Sequence, residues 1–153
     1  MPAAILISIA VLAADRDFAP DQSQLPVPPL KGAVVLLDQK GNHAFVSMAG
    51  EQIDWPIEDG VAVPTPRGNT NHIVSKLHFR DADIHVEFML PETGPGNSGV
   101  YIHGHYEVQI LNSFGKETVT QDDAGALYGF STPLVNACRK PGDRASAHSG
   151  VAG

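Results

Sequence analysis

The stretch "NSGVYIHGHYEVQI", Asn97 to Ile110, gathers two histidines, a glutamate, a glutamine and two tyrosines in a segment whose apolar residues read as sheet. Alternate side chains of an extended strand share a face. In "HYEVQIL", His105, Glu107, Gln109 and Leu111 therefore fall on one side, and Tyr106, Val108 and Ile110 on the other. Neighbours on one face stand about 7 Å apart, a spacing that one sugar ring bridges. Tyr101 and His103 share a face of the preceding segment and extend the same surface. Imidazoles, a carboxylate, an amide and phenols set side by side suit a concave surface that hydrogen-bonds a polyol. A sheet also holds such groups more accurately than a loop does.

Other chemistries fit less well. His103 and His105 at i, i+2 with Glu107 as third ligand would make a metal site, but neither HExxH nor CxxC spacing accompanies them, so no cofactor is expected. "GPGNSG" lacks the lysine and following helix of a phosphate loop, and there is no G-x-S-x-G elbow. Cys138 is the only cysteine, which excludes an internal disulfide. It has Arg139 and Lys140 beside it but no histidine to activate it, and reads as a packed thiol. Asp122 and Asp123 read as loop charges, and Asp54, Glu58 and Asp59 as turn formers.

The elements that must position the row are short. Among 153 residues, 15 Gly and 12 Pro punctuate the chain, favouring strands and turns over long helices. "AVVLLD" (33–38) is a strand closed by "QKGN", and "IDWPIEDGVAVP" has the form of a hairpin turning at Asp59-Gly60. "DIHVEFML" alternates most clearly, with Ile84, Val86, Phe88 and Leu90 on a core face and Asp83, His85, Glu87 and Met89 on a wet one. "VYIHGHYEVQIL" is two strands, or one bulged strand, broken near Gly104. The polar excursion "NSFGKETVTQDDAGALYGFSTP" follows and returns at Ala126-Leu127-Tyr128. Repeated short strands with closely spaced turns predict an all-β sandwich, and no repeat or heptad is present.

One core and one site suit this length. Ten basic residues against 17 acidic ones give a net charge of −7, with no Lys/Arg cluster, so a nucleic-acid partner is disfavoured. The apolar run Ala3–Ala14 has the length of a signal-peptide core with small residues near its end, and is too short to span a bilayer. The expected organisation is a signal peptide at 1–14, a Pro-rich linker or wrapping arm at 15–32, the β-sandwich at 33–143 and an irregular tail at 144–153. The chain is then exported to the periplasm or beyond and has no membrane partner after cleavage. The tail "RKPGDRASAHSGVAG" holds one β-branched residue in fifteen, too few to expect a strand.

"ADIHVEFMLP", "GNSGVYIHGHYEVQIL", "AGALYG" and "KPGD" occur in the order and spacing of the 3-keto-disaccharide hydrolase domain family, which the chain resembles from about Ala33 to Asp143. The resemblance implies a concanavalin A-like jelly-roll sandwich with a carbohydrate substrate. In that family an "xPGxW" segment opens further strands. Here "KPGD" runs into "RASAHSGVAG" without the Trp, which implies a sandwich incomplete at its C-terminus.

The implied activity is hydrolysis of 3-keto-glycosides by elimination and hydration in a concave sheet cleft. A ketone at C3 acidifies the C2 proton, so the C1 oxygen can leave by elimination and water can then add. Glu107 is the candidate base, and His103 or His105 the acid that protonates the leaving oxygen. Gln109 and Asn97 are candidates to hydrogen-bond hydroxyls or the enolate, and Tyr101 and Tyr128 complete the substrate-binding set. The rival readings are a non-catalytic carbohydrate-binding module on the same fold, an inactive fragment, and an ordinary glycoside hydrolase. A retaining glycosidase needs two carboxylates about 5–5.5 Å apart, and the same-face partner of Glu107 is the amide Gln109.

Overall fold

The computed structural model describes residues 21–64, 70–94 and 96–151, and every regular element among them is a strand. The all-β expectation is met. The run read as a signal peptide lies outside the described residues, and among those described no helix is long and apolar enough to cross a membrane. The described residues divide into two units, one containing Pro29–Arg80 and the other combining residues 21–28 with those from Asp81 onward.

In the first unit, β1 (Phe45–Ser47) pairs antiparallel with β4 (Ile73–Ser75), and β2 (Ile57–Glu58) with β3 (Val61–Ala62). The β2–β3 turn falls at Asp59-Gly60, as the sequence predicts. Both residues have positive φ, 49° and 73°, the form of a type I′ hairpin turn. A Cβ on Gly60 would stand 2.7 Å from Gln39 Cα, so the glycine is also required by close backbone approach. Asp54 is not a turn former. Its carboxylate accepts the Thr70 amide at 3.0 Å while its own amide donates to Thr70 Oγ1 at 3.2 Å, and the Trp55 indole N–H donates to the Thr70 carbonyl at 2.8 Å.

The second unit holds the longer strands. β5 (Ala82–Met89) pairs antiparallel with β8 (Arg144–Val151), from Ala82↔Val151 to Met89↔Arg144, and β6 (Ser98–Ile102) pairs with β7 (Tyr106–Ile110). Ala82, Leu90, Ile102, Ile110, Ala126 and Ala145 are its buried apolar residues. Strand β8 corrects the expectation of an irregular tail at 144–153. Its composition is poor for a strand, but pairing context outweighs intrinsic β-propensity. Register with β5 sets Arg144 and Ser146 on the face of Glu87, and Ala145 and Ala147 on the face of Phe88 and Val86.

Glu87 fastens this arrangement. Its carboxylate accepts Arg144 Nη1 at 2.9 Å and the Val27 amide at 2.6 Å, and lies 3.2 Å from His85 Nε2. Burial raises the Glu87 carboxyl, but hydrogen bonds from Arg144, Val27 and His85 outweigh it and leave the group below its ordinary value. Within the Pro-rich segment, residues 21–28 are thereby attached to the second unit. Gln22 completes the attachment: its Nε2 donates to Ala137 O at 2.8 Å, its Oε1 accepts the Ser146 amide at 3.3 Å, and its carbonyl accepts Arg139 Nη1 at 3.1 Å.

Candidate active site

The β6–β7 hairpin is closed by His103 and Gly104, at φ 54° and 64°, with the His105 amide donating to the Ile102 carbonyl at 3.0 Å. This is a type I′ turn, and His105 is one extra residue before the ladder resumes at Ile102↔Tyr106. Histidine is among the non-glycine residues that enter the left-handed region more readily. Both imidazoles therefore sit at the hairpin tip, exposed, and not within the strand row expected from simple alternation. The His105 ring stands edge-on to Tyr106 at 5.5 Å, and Tyr106 stands edge-on to Phe130 at 5.9 Å.

Glu107 and Gln109 keep their common face, and pairing brings others to it. Tyr101 lies directly opposite Glu107, and Gly99 opposite Gln109. On the other side of β7, residues 126–128 return alongside it and are joined to it by an isolated bridge. The Gln109 amide donates to Ala126 O at 3.0 Å, the Tyr128 amide donates to Glu107 O at 2.9 Å, and Val108 bridges Leu127. The result is a transverse row, Tyr101–Glu107–Tyr128, with both tyrosines about half exposed. Sequence spacing alone would not set Tyr128 beside Glu107.

The Tyr101 hydroxyl donates to the Glu107 carboxylate. That hydrogen bond holds the phenol above its usual value, with some loss of solvent and the charges of Glu107 and Tyr128 adding to it. The Glu107 side chain lies across Gly99. A Cβ there would stand 2.6 Å from Glu107 Cγ and 2.7 Å from its Cδ, and would collide with Oε1. Gly99 was not among the expected site residues. Its signal in the sequence is a glycine inside a strand, which marks close approach by another group.

The remaining candidates are placed as follows. Gln109 is buried, and its Oε1 accepts the neighbouring Ile110 amide at 3.1 Å, so its first role is structural. Asn97 is exposed just before β6. Among the described residues no hydrogen bond joins His103 or His105 to Glu107, and no group of three His, Cys, Asp or Glu side chains is placed to hold a metal.

Asp123, expected as a loop charge, organises the polar excursion. Its buried carboxylate accepts Lys116 Nζ at 2.6 Å, the Thr120 amide at 2.7 Å, Thr120 Oγ1 at 2.9 Å and Ser113 Oγ at 3.1 Å. The Lys116 hydrogen bond is the largest influence, and against opposing burial the set lowers Asp123 to about 2. The Ala126 amide donates to the Asp123 carbonyl at 3.0 Å, so this cluster fixes the entry to the 126–128 segment and thus to Tyr128.

A family model described as a 3-keto-alpha-glucoside-1,2-lyase-like domain matches residues 32–146. Among solved structures, the chain is similar to a candidate glycosyl hydrolase from Parabacteroides distasonis. The two are 31% identical with a TM-score of 0.66, over 97% of this chain and 67% of that one. No curated protein matches significantly. The likeness carries the β-sandwich class expected from the sequence, and the motifs around Glu107 fall inside the matched span. The chain belongs to the 3-keto-alpha-glucoside-1,2-lyase-like domain family.

Proposed function

We propose that this chain cleaves 3-keto-glycosides, with Glu107 as the base that removes the proton at C2. The observation that carries the reading is the Tyr101–Glu107–Tyr128 row: a carboxylate held at the surface of a sheet between two half-exposed aromatic rings. The rings offer faces to the C–H surface of a sugar, and the carboxylate is the one ionisable acceptor between them. Removal of the C2 proton leaves its electron pair in the enolate of the C3 ketone. Collapse of the enolate expels the C1 oxygen, and that oxygen takes a proton as it leaves. Addition of water across the resulting C1–C2 double bond completes hydrolysis.

In this reading His103 and His105, on the turn beside the row, supply the proton to the leaving oxygen. They have no hydrogen bond to Glu107, so their part is separable from its own. Glu107→Gln should reduce turnover of a 3-keto-disaccharide at least about 100-fold while the substrate still binds. Full activity in that variant would remove Glu107 from the chemistry. His103→Ala and His105→Ala should be most damaging with the poorest leaving groups and nearly silent with an activated aryl glycoside. The exposed Tyr101 and Tyr128 rings favour one alternative, recognition without chemistry. Equal binding of an ordinary glycan by wild type and Glu107→Gln, with no keto-sugar turnover in either, would favour that binding module.

A further inference from the structure

The Glu107 carboxylate occupies a place that only a glycine at residue 99 leaves open. Gly99 is paired across from Gln109, not from Glu107, so the glutamate side chain runs diagonally over the neighbouring pair. Diagonal neighbours across an antiparallel pair are about 7–8 Å apart at Cα, within reach of a long side chain only when the intervening surface is clear. The three heavy atoms nearest to a Cβ built on Gly99 all belong to the Glu107 side chain. Gly99 is not in a left-handed conformation, unlike Gly96 and Gly104 beside it. Space, not backbone geometry, is what its missing side chain supplies. Tyr101 closes the other side, directly opposite Glu107, with its hydroxyl on the carboxylate.

We infer that Gly99 and Tyr101 are positioning residues that fix the Glu107 carboxylate in one orientation, Gly99 by leaving a socket and Tyr101 by donating a hydrogen bond. The inference rests on the reading of Glu107 as the reacting carboxylate for its effect on turnover, but not for its effect on the carboxylate itself. An unrestrained glutamate on a sheet surface samples several rotamers, and each wrong one removes the base from the C–H bond it must reach. A methyl group on residue 99 forces the side chain out of the socket and away from the Tyr101 hydroxyl. The groups that face the Glu107 carboxylate are then Tyr101 from β6 and Tyr128 from the bridged segment 126–128, with Gln109 beside it on β7.

The test uses the three tyrosines of the chain, Tyr101, Tyr106 and Tyr128, followed by phenolate absorbance during alkaline titration. Wild type should show one late-titrating tyrosine, which Tyr101→Phe removes. Gly99→Ala and Glu107→Gln should each return it toward ordinary behaviour. In turnover, Gly99→Ala should lower kcat about 100-fold with KM changed less than about 3-fold, because the carboxylate is present but misplaced.

Thermal melts supply a readout that does not need activity. Gly99→Ala should raise Tm by less in the wild-type background than in Glu107→Ala, where the colliding atoms are gone. The inference is overturned if Gly99→Ala leaves the late tyrosine and kcat unchanged, or if its effect on Tm is the same in both backgrounds. Full turnover by Glu107→Gln together with a shifted tyrosine in Gly99→Ala would instead sink the proposed base and keep the socket.

Discussion

Asp123→Asn isolates the charge that organises residues 113–126. The side chain keeps its shape and one acceptor oxygen, but the second oxygen becomes an NH2 that faces Lys116 and Thr120. A carboxyl lowered from 3.8 to about 2 corresponds to roughly 2 kcal/mol of stabilisation of the charged folded state. For a chain of this size that predicts a Tm about 4–8 °C lower at neutral pH. The sign follows from a folded value below the unfolded one. The stabilisation is complete above about pH 4 and is lost as pH falls through about 2. Wild type and Asp123→Asn should therefore converge as the buffer is taken from pH 5 to pH 2. Melts recorded through the tyrosine signal are the appropriate assay, because all three tyrosines lie in the second unit. A Tm gap under about 1 °C, or one that persists undiminished to pH 2, would refute the assignment of a charge-dependent hub.

Other perturbations separate the fastenings of the fold. Glu87→Gln should cost about 1–2 kcal/mol at neutral pH, seen as a lower denaturation midpoint. The loss should shrink as acid is added past the ordinary glutamate value, because the charged Glu87 stabilises only above its depressed folded value. Gln22→Ala removes the donor to Ala137 and the acceptor for Ser146, and should expose the arm to limited proteolysis before the strands of its unit are cut. Gly60→Ala combines a positive φ with collision against Gln39 and should cost about 1–3 kcal/mol, read by Trp55 fluorescence within the same unit.

The placement of the candidate row was legible where side chains follow strand alternation. Glu107 and Gln109 share a face because β7 is regular from Tyr106 to Ile110, and Tyr101 joins them through a hairpin pairing that the sequence half announces. His103 and His105 left the expected row because period-2 counting on each side of Gly104 was carried into the turn itself, where His103 and Gly104 are left-handed and His105 is an extra residue. The signal was present in His103-Gly104, since turn formation competes with strand extension wherever a glycine follows a residue tolerant of positive φ. Strand β8 was illegible for a different reason. Its residues have little strand preference of their own, and the Glu87–Arg144 contact that helps fix its register spans 57 positions.

Position along a strand is thus local information, whereas orientation of the Glu107 carboxylate is not. Gly99 lies eight residues before Glu107 and Tyr128 twenty-one after it, and both come beside it only through backbone pairing with β7. The bridged segment 126–128 is in turn held by Asp123, whose carboxylate contacts no member of the row. If that chain of dependence is real, Asp123→Asn should disturb more than stability: at a temperature well below its melt, Tyr128 should become more exposed to a neutral quencher while Tyr101 keeps its hydrogen bond to Glu107. Under the proposed function, turnover should fall through KM more than through kcat, because a ring proposed to face the sugar has been loosened and the carboxylate has not moved. An equal loss in both parameters, or a changed Tyr101 titration, would place the disturbance at Glu107 instead and break the proposed separation between the loop that frames the row and the socket that aims it.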